Sequence, residues 1–227
     1  MNRKARRRIT SQTRGADDPA ARDLRTALAA AASFRQAGRL DEAERLYRQI
    51  LASTPDEPTA LNWLGALLHV RGDNAGALDL LTRAARLRPH EPLCLFHLAE
   101  VCRATDRQED AVRAYRRALA CQPATADLLF GLGTALLALG QAGAAARELG
   151  RAVAAAPDDP QARNNLGNAL ADLGRTAEAH AHYQAALRLD PVYAEAHLNL
   201  GLLLARSDRP GEAEACLRAA LTHDPSL

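Results

Sequence analysis

Three asparagines within five residues form the most distinctive chemical group in the sequence. They are Asn164, Asn165 and Asn168, in the stretch RNNLGNALADLG, and Asn199 follows in the similar stretch LNLG. An asparagine side chain offers both a donor and an acceptor, which complement the C=O and N–H groups of a peptide unit. Asparagine is less favourable in a helix than alanine, so such a cluster indicates a use for its amides. We expect that use to be the binding of an extended polypeptide backbone.

A second group combines aromatic rings with imidazole and charged side chains. Its members are Asn62, Trp63, His69, Phe96, His97, Glu100, Arg103 and Phe130. Aromatic side chains beside a few polar groups form anchor pockets at protein interfaces. We predict that this group receives one or two side chains of a partner. Two alternatives stay open: Phe96 and Phe130 pack against neighbouring helices, and the asparagines are solvated helix residues without a ligand.

Catalytic and metal-binding chemistry is not indicated. The stretch GLGT, residues 131–134, lacks the third glycine of a dinucleotide-binding loop. His180 and His182 are two residues apart, so on a helix they point to different faces and do not chelate together. The cysteines contain no C-x-x-C pair and fit small apolar positions; they are Cys94, Cys102, Cys121 and Cys216. We therefore expect no enzyme activity, no cofactor and no metal.

The elements that position these residues follow from a period of 34 residues. Prolines recur at this interval: Pro55, Pro89, Pro123, Pro157, Pro191 and Pro225. With proline at position 32, the sequence divides into six repeats: 24–57, 58–91, 92–125, 126–159, 160–193 and 194–227. Position 20 is always alanine and position 8 is alanine or glycine, as expected where two helices approach closely. Position 15 is glycine or aspartate, residues that end a helix in the left-handed conformation. Each repeat is therefore predicted to be helix, turn, helix.

This pattern resembles the tetratricopeptide repeat. The fourth repeat carries its residues as Leu132, Gly133, Ala145, Ala152 and Pro157, and the resemblance extends over residues 24–227. It implies an all-α solenoid of six helix-turn-helix units in a right-handed superhelix, with an extended peptide held on the concave side. The asparagines resemble the ladder of O-GlcNAc transferase-type arrays, although position 6 is not asparagine in the first four repeats.

Helix geometry separates two faces of the first helix in each repeat. At about 100° per residue, positions 4, 7, 8 and 11 share the packing side, whereas positions 2, 5, 6, 9, 12 and 13 lie opposite. First helices line the inner wall of a stacked solenoid, where ligands bind. The amide and aromatic groups occupy this second set of positions, so we predict that all twelve residues line a peptide-binding groove.

The N-terminal segment and the overall charge bear on the remaining function classes. Residues 1–23 carry seven basic and three acidic side chains and are expected to form a disordered arm, whereas the repeats are nearly neutral and the chain carries a net charge of +2. This balance argues against a nucleic-acid surface on the repeats. Residues 128–146 lack charge but are rich in glycine and alanine, so we expect no membrane span. The scattered cysteines favour a reducing compartment, the cytoplasm, and the excess of arginine over lysine indicates a bacterial source.

These observations predict a non-catalytic scaffold for protein–protein interaction that binds an extended peptide segment of a partner in the concave groove. One alternative is a substrate-selecting arm that works with a glycosyltransferase or methyltransferase. Another is association with nucleic acid or a membrane surface through the basic arm. No further helix follows Pro225, so we also predict weak self-association through the apolar face of the last repeat.

Overall fold

The computed structural model describes residues 19–227, which form twelve α-helices and, within this range, no β-strand. The first helices of the six repeats are α1 (Pro19–Gln36), α3 (Pro58–Val70), α5 (Pro92–Ala104), α7 (Ala126–Ala138), α9 (Pro160–Asp172) and α11 (Ala194–Arg206). The second helices are α2 (Leu40–Ser53), α4 (Asn74–Leu87), α6 (Gln108–Cys121), α8 (Ala142–Ala155), α10 (Thr176–Leu189) and α12 (Pro210–His223). The predicted all-α fold of six helix pairs is confirmed.

The first helix begins earlier than the repeat register predicts. Helix α1 starts at Pro19, so residues 19–23, which were expected to belong to a disordered arm, are helical. Proline is well suited to the first turn of a helix, and Ala20 and Ala21 are strong helix formers. The predicted boundary came from the 34-residue register and ignored these local signals. The rest of the arm lies outside the described residues.

The turn between the paired helices is the same in every repeat. The residue at position 15 has a positive φ angle in all six: Gly38 (73°), Gly72 (84°), Asp106 (57°), Gly140 (68°), Gly174 (72°) and Asp208 (56°). The following N–H then bonds back into the helix, as when the Asp73 N–H donates to the Leu68 C=O at 2.9 Å. This bond satisfies one of the carbonyls that a helix end leaves free. The predicted helix-ending role of position 15 is confirmed.

Small residues at position 8 allow the two helices of a repeat to pack closely. A Cβ atom added to Gly133 would lie 2.5 Å from Leu149, and one added to Gly167 would lie 2.5 Å from the ring of Tyr183. Real Cβ atoms do not approach so closely, so position 8 accommodates the large side chain at position 24 of the same repeat. These contacts fix how each first helix is rotated, and therefore which of its side chains face away from the core.

The chain divides into two compact parts. The N-terminal part extends to Val101 and the C-terminal part runs from Cys102 to Leu227. Buried tyrosine, leucine and alanine side chains fill the core of each part, Tyr47 and Leu81 in the first and Tyr115 and Leu149 in the second. None of the helices in residues 19–227 has both the length and the apolar character that crossing a bilayer requires.

Candidate functional site

An open cleft in the N-terminal part collects most of the predicted aromatic group. We call it the aromatic cleft; its volume is about 390 Å³. The residues that line it are Arg35, Leu40, Trp63, Ala66, Leu67, His69, Val70, Phe96, His97 and Glu100. Most of its surface is apolar, which is typical of ligand-binding clefts.

The repeat register explains why these side chains meet. Arg35 stands at position 12 of the first repeat, whereas Trp63 and His97 stand at position 6 of the second and third. All three positions belong to the inner face predicted from helix geometry. Because each first helix stacks beside the first helix of the next repeat, side chains on this face become neighbours although they are far apart in sequence.

The rings in the aromatic cleft contact one another directly. The guanidinium carbon of Arg35 lies 3.6 Å from the centroid of the Trp63 ring, within range of a cation–π interaction. The rings of Trp63 and His97 meet edge to face, with centroids 5.1 Å apart and an interplanar angle of 62°. Phe96 flanks His97 at a centroid distance of 5.8 Å. These contacts restrict the rotamers of the cleft walls before any ligand binds.

A buried asparagine fixes the orientation and the protonation of His97. Asn62 is 3% exposed, and its Oδ1 atom lies 2.9 Å from Nδ1 of His97. Because an amide oxygen only accepts hydrogen bonds, Nδ1 carries the proton and Nε2 is an open acceptor. Burial, reinforced by the charge of Arg35, lowers the pKa of His97 to about 4, although Glu100 opposes this shift. The imidazole is therefore neutral at pH 7.

A chain of hydrogen-bonded side chains connects three first helices of the C-terminal part. The Nδ2 atom of Asn199 donates to Oδ1 of Asn164 at 3.0 Å, and Asn164 donates to Oδ1 of Asn165 at 3.4 Å. The Nδ2 atom of Asn165 then donates to the hydroxyl of Thr134 at 3.3 Å, which donates to the carbonyl of Phe130 at 2.9 Å. We call Thr134, Asn164, Asn165 and Asn199 the amide chain.

We predicted from the sequence that Asn62 and Asn164 line the groove surface, but both side chains are buried. Asn164 is 3% exposed, as is Asn62, so neither presents its amide to solvent. Both stand at position 5 of their repeat, and each accepts a hydrogen bond from position 6 of the next repeat, His97 or Asn199. Position 5 lies on the side of the inner face toward position 8, and in these two cases the side chain from the following repeat covers it. These two asparagines therefore position other side chains.

A second cleft, of about 240 Å³, adjoins the amide chain. We call it the amide cleft; it is lined by Asn168, Ala171, Asp172, Tyr183, Asn199, Leu202, Leu203 and Arg206. The hydroxyl of Tyr183 donates to Oδ1 of Asn168 at 2.8 Å, which fixes the amide so that its Nδ2 atom is the group left for a ligand. Burial, followed by the charge of Asp172, raises the pKa of Tyr183 to about 12, so this hydroxyl keeps its proton.

The structure thus distributes the predicted residues between two separate surfaces. Trp63, His69, Phe96, His97 and Glu100 line the aromatic cleft, and Asn165, Asn168 and Asn199 belong to the amide chain or the amide cleft. Phe96 and Phe130 are both partly exposed. Arg103 and Phe130 belong to the C-terminal part, where neither lines the amide cleft.

Sequence reasoning missed several residues of these surfaces. Arg35 at position 12, Thr134 at position 9 and Arg206 at position 13 all occupy inner-face positions, so the helix arithmetic contained the signal. They were overlooked because residues were selected by type, as aromatic or asparagine. Leu40 and Tyr183 come from second helices, and no inner-face pattern on the first helices could have identified them.

The burial of the cysteines and the exposure of the last helix bear on two further sequence predictions. Cys94 and Cys102 are buried, and burial raises the pKa of both thiols, that of Cys94 to about 11. These thiols stay protonated, which fits the small apolar positions predicted for the cysteines. Cys121 departs from that prediction because it is exposed at the end of its helix. On the last helix, Leu221 is 53% exposed. Self-association through this apolar face stays a prediction.

Several solved structures share this architecture. YrrB, described as a tetratricopeptide repeat protein with an unusual peptide-binding site, is 24% identical, with 79% of this chain and 92% of that chain covered and a TM-score of 0.66. A MamA structure from Desulfovibrio magneticus RS-1 is 24% identical over 75% of this chain and 97% of its own, with a TM-score of 0.69. The Cut9–Hcn1 hetero-tetramer of the APC/C matches 99% of this chain and 44% of its own, at 19% identity and a TM-score of 0.71. At these identities the similarity establishes the fold alone.

Comparison with family profiles gives the classification. No curated protein matches the chain. The tetratricopeptide repeat profile matches residues 28–92, 71–126, 96–160 and 130–179, which together cover more than half of the sequence. Related repeat profiles match residues 167–208 and 194–227. The resemblance inferred from the 34-residue period is confirmed, and the chain belongs to the tetratricopeptide repeat family.

Proposed function

We propose that the chain is a non-catalytic scaffold that binds an extended segment of a partner protein on the inner faces of its first helices. The tetratricopeptide fold is in general a protein-interaction module. The observation that carries the finer proposal is the convergence of Arg35, Trp63 and His97, from the first helices of three successive repeats, on one accessible cleft. Stacked repeats of a solenoid form binding surfaces that no single repeat has on its own.

The amide chain supports the same proposal in the C-terminal part. Asn165 and Asn199 are partly exposed, and each uses one amide N–H in the amide chain, Asn165 toward Thr134 and Asn199 toward Asn164. Each amide therefore keeps a second N–H for a ligand. Because the bonded chain already fixes their rotamers, less side-chain entropy is lost when a peptide backbone binds. A row of fixed amides reads the backbone with little dependence on the partner's sequence.

The expected contributions indicate binding that is no tighter than micromolar, which corresponds to about −8 kcal/mol. A neutral hydrogen bond contributes about 0.5–1.5 kcal/mol net, so two or three amide contacts alone do not offset the cost of ordering a flexible segment. Burial of an apolar side chain in the aromatic cleft contributes about 1.5–3 kcal/mol to the binding free energy. Binding to the N-terminal part is therefore expected to depend on the anchor, and binding to the C-terminal part on the amides.

Selection of peptides from a random displayed library against the full chain tests the proposal. The affinities of selected peptides are then measured by calorimetry for wild type, Trp63→Ala and Asn199→Ala. We expect Trp63→Ala to weaken anchored peptides at least tenfold and Asn199→Ala to weaken backbone-bound peptides about three- to tenfold.

Gln184→Ala is the matched control, because it removes an exposed amide from a second helix. It should leave every affinity unchanged, and thermal unfolding of each variant establishes that the fold is intact. The proposal would be contradicted if the selected peptides bound Trp63→Ala and Asn199→Ala with the same affinity as they bind the wild-type chain.

A further inference from the structure

The aromatic cleft has features that select among the side chains a partner could insert. Two opposite charges line it, the Arg35 guanidinium and the Glu100 carboxylate, so neither a basic nor an acidic side chain finds a net electrostatic attraction there. A charged group entering a mainly apolar cleft also loses hydration. The anchor that fits best is therefore uncharged.

Its walls favour a flat ring. Trp63, Phe96 and His97 surround the space with faces and edges already arranged in tilted and edge-to-face pairs. A further aromatic ring extends this arrangement with centroid distances that such pairs prefer. A volume of about 390 Å³ accommodates one aromatic side chain.

Two imidazoles line the cleft, those of His69 and His97, and His97 is the one that contacts the rings of Trp63 and Phe96. The buried Asn62 accepts the hydrogen bond from Nδ1 of His97, so Nε2 is the ring nitrogen that remains to accept one. An anchor ring packed among Trp63, Phe96 and His97 can bring its tip to this nitrogen. A tyrosine carries its O–H at that tip, whereas phenylalanine has no donor and tryptophan carries its N–H on the side of its ring.

We propose that the aromatic cleft is a specificity pocket for a tyrosine side chain, with the His97 imidazole as the acceptor for the tyrosine hydroxyl. This inference rests on the proposed function, because it assigns the tyrosine to the partner's extended segment. The tyrosine is then the side chain through which the N-terminal part recognises that segment.

Trp63 makes the cleft directly observable, because it is the only tryptophan in the chain. In the ¹⁵N-labelled protein its indole gives a single side-chain signal, which can be followed while N-acetyl-tyrosinamide, N-acetyl-phenylalaninamide and N-acetyl-tryptophanamide are added. A fourth probe, the O-methyl ether of N-acetyl-tyrosinamide, removes the donor without any change to the protein. We expect the tyrosine probe to bind about three- to tenfold more tightly than the other three. Equal binding of the tyrosine and phenylalanine probes would overturn the proposal, as would tighter binding of the tryptophan probe.

A double variant tests the acceptor itself. Asn62→Leu with His97→Phe replaces both hydrogen-bonded partners by apolar groups of similar shape, which avoids leaving one of them buried and unpaired. We expect this variant to bind the tyrosine and phenylalanine probes equally. A tyrosine preference that persists in the folded double variant would show that His97 is not the acceptor.

The peptide selection separates failure of this inference from failure of the proposed function. Enrichment of tyrosine at one position supports both. Selected peptides that need Trp63 but carry no tyrosine would overturn the inference and leave the scaffold proposal intact. If no peptide is selected, the scaffold proposal is contradicted, and the four small probes still decide whether the cleft prefers tyrosine.

Discussion

Asn62 and Asn164 are buried asparagines that orient the side chains of the two proposed binding surfaces. Each occupies position 5 of its repeat, is 3% exposed, and orients the side chain at position 6 of the next repeat. In one case the oriented group is the His97 imidazole, and in the other it is the Asn199 amide. A buried amide of this kind fixes the direction of a side chain that the proposed ligand would meet, and it would not contact that ligand itself.

Loss of the buried amide should cost more stability than loss of its exposed neighbour. Asn164→Ala removes the acceptor for Asn199 and the donor for Asn165, and we expect it to lower the free energy of unfolding by about 1–3 kcal/mol. Asn165→Ala, at a partly exposed position, should cost about 1 kcal/mol or less. Urea unfolding of the two variants checks this order, and equal costs would mean that the buried hydrogen bonds contribute little.

The protonation of His97 gives a pH-dependent signature. Its pKa is lowered to about 4 in the folded protein from an ordinary value of 6.5, so the unfolded chain binds more protons between these two values. The corresponding contribution to stability is fully present above pH 6.5 and is lost as the pH falls toward 4. Imidazole chemical shifts should therefore show a neutral His97 at pH 6. An imidazole that titrates near pH 6.5 would contradict the buried environment described for the cleft.

Among the helices, the pairing of position 8 with position 24 fixes which face of each first helix points away from the core. Gly133 packs against Leu149 and Gly167 against Tyr183, with no space for an added Cβ atom. This close approach was predictable from the recurrence of alanine or glycine at position 8. The inner face is a direct consequence, because rotation of the helix would bring its polar side chains against the neighbouring leucine or tyrosine.

Two glycine substitutions in adjacent helices should have opposite effects. Gly133→Ala places a Cβ atom 2.5 Å from Leu149, and we expect the forced repacking to lower the free energy of unfolding by about 1–3 kcal/mol. Gly150→Ala, within α8, meets no atom within 4 Å, so it should raise stability by about 0.5–1 kcal/mol through its better helix propensity. Thermal unfolding measures both. Similar effects of the two substitutions would contradict the packing of position 8.

For the molecule as a whole, the 34-residue period determined most of what could be predicted. The recurring proline, glycine and alanine positions were enough to predict the helix pairs, the turns and the inner-face positions. The start of α1 at Pro19 was missed because it depends on local helix signals outside the repeat register. The burial of Asn62 and Asn164 was missed because helix geometry gives the direction of a side chain but not how far the next repeat covers it.

The function of a solenoid depends on surfaces that successive repeats build together. Its stability is approximately a sum over repeats and their interfaces, so a substitution on the inner face can change binding while the fold persists. Arg35, Trp63 and His97 come from three repeats, as do Thr134, Asn165 and Asn199. Neither group is recognisable within one repeat.

Chemical-shift mapping of a selected peptide on the ¹⁵N-labelled chain tests the central claim most directly. The side-chain signals of Trp63, Asn165 and Asn199 report on the inner faces, and the Gln184 amide on a second helix serves as a control in the same spectrum. Our account predicts that the indole or asparagine signals shift on peptide addition while Gln184 does not. Shifts confined to Gln184 and other residues of the second helices, with the three inner-face side chains unchanged, would contradict it.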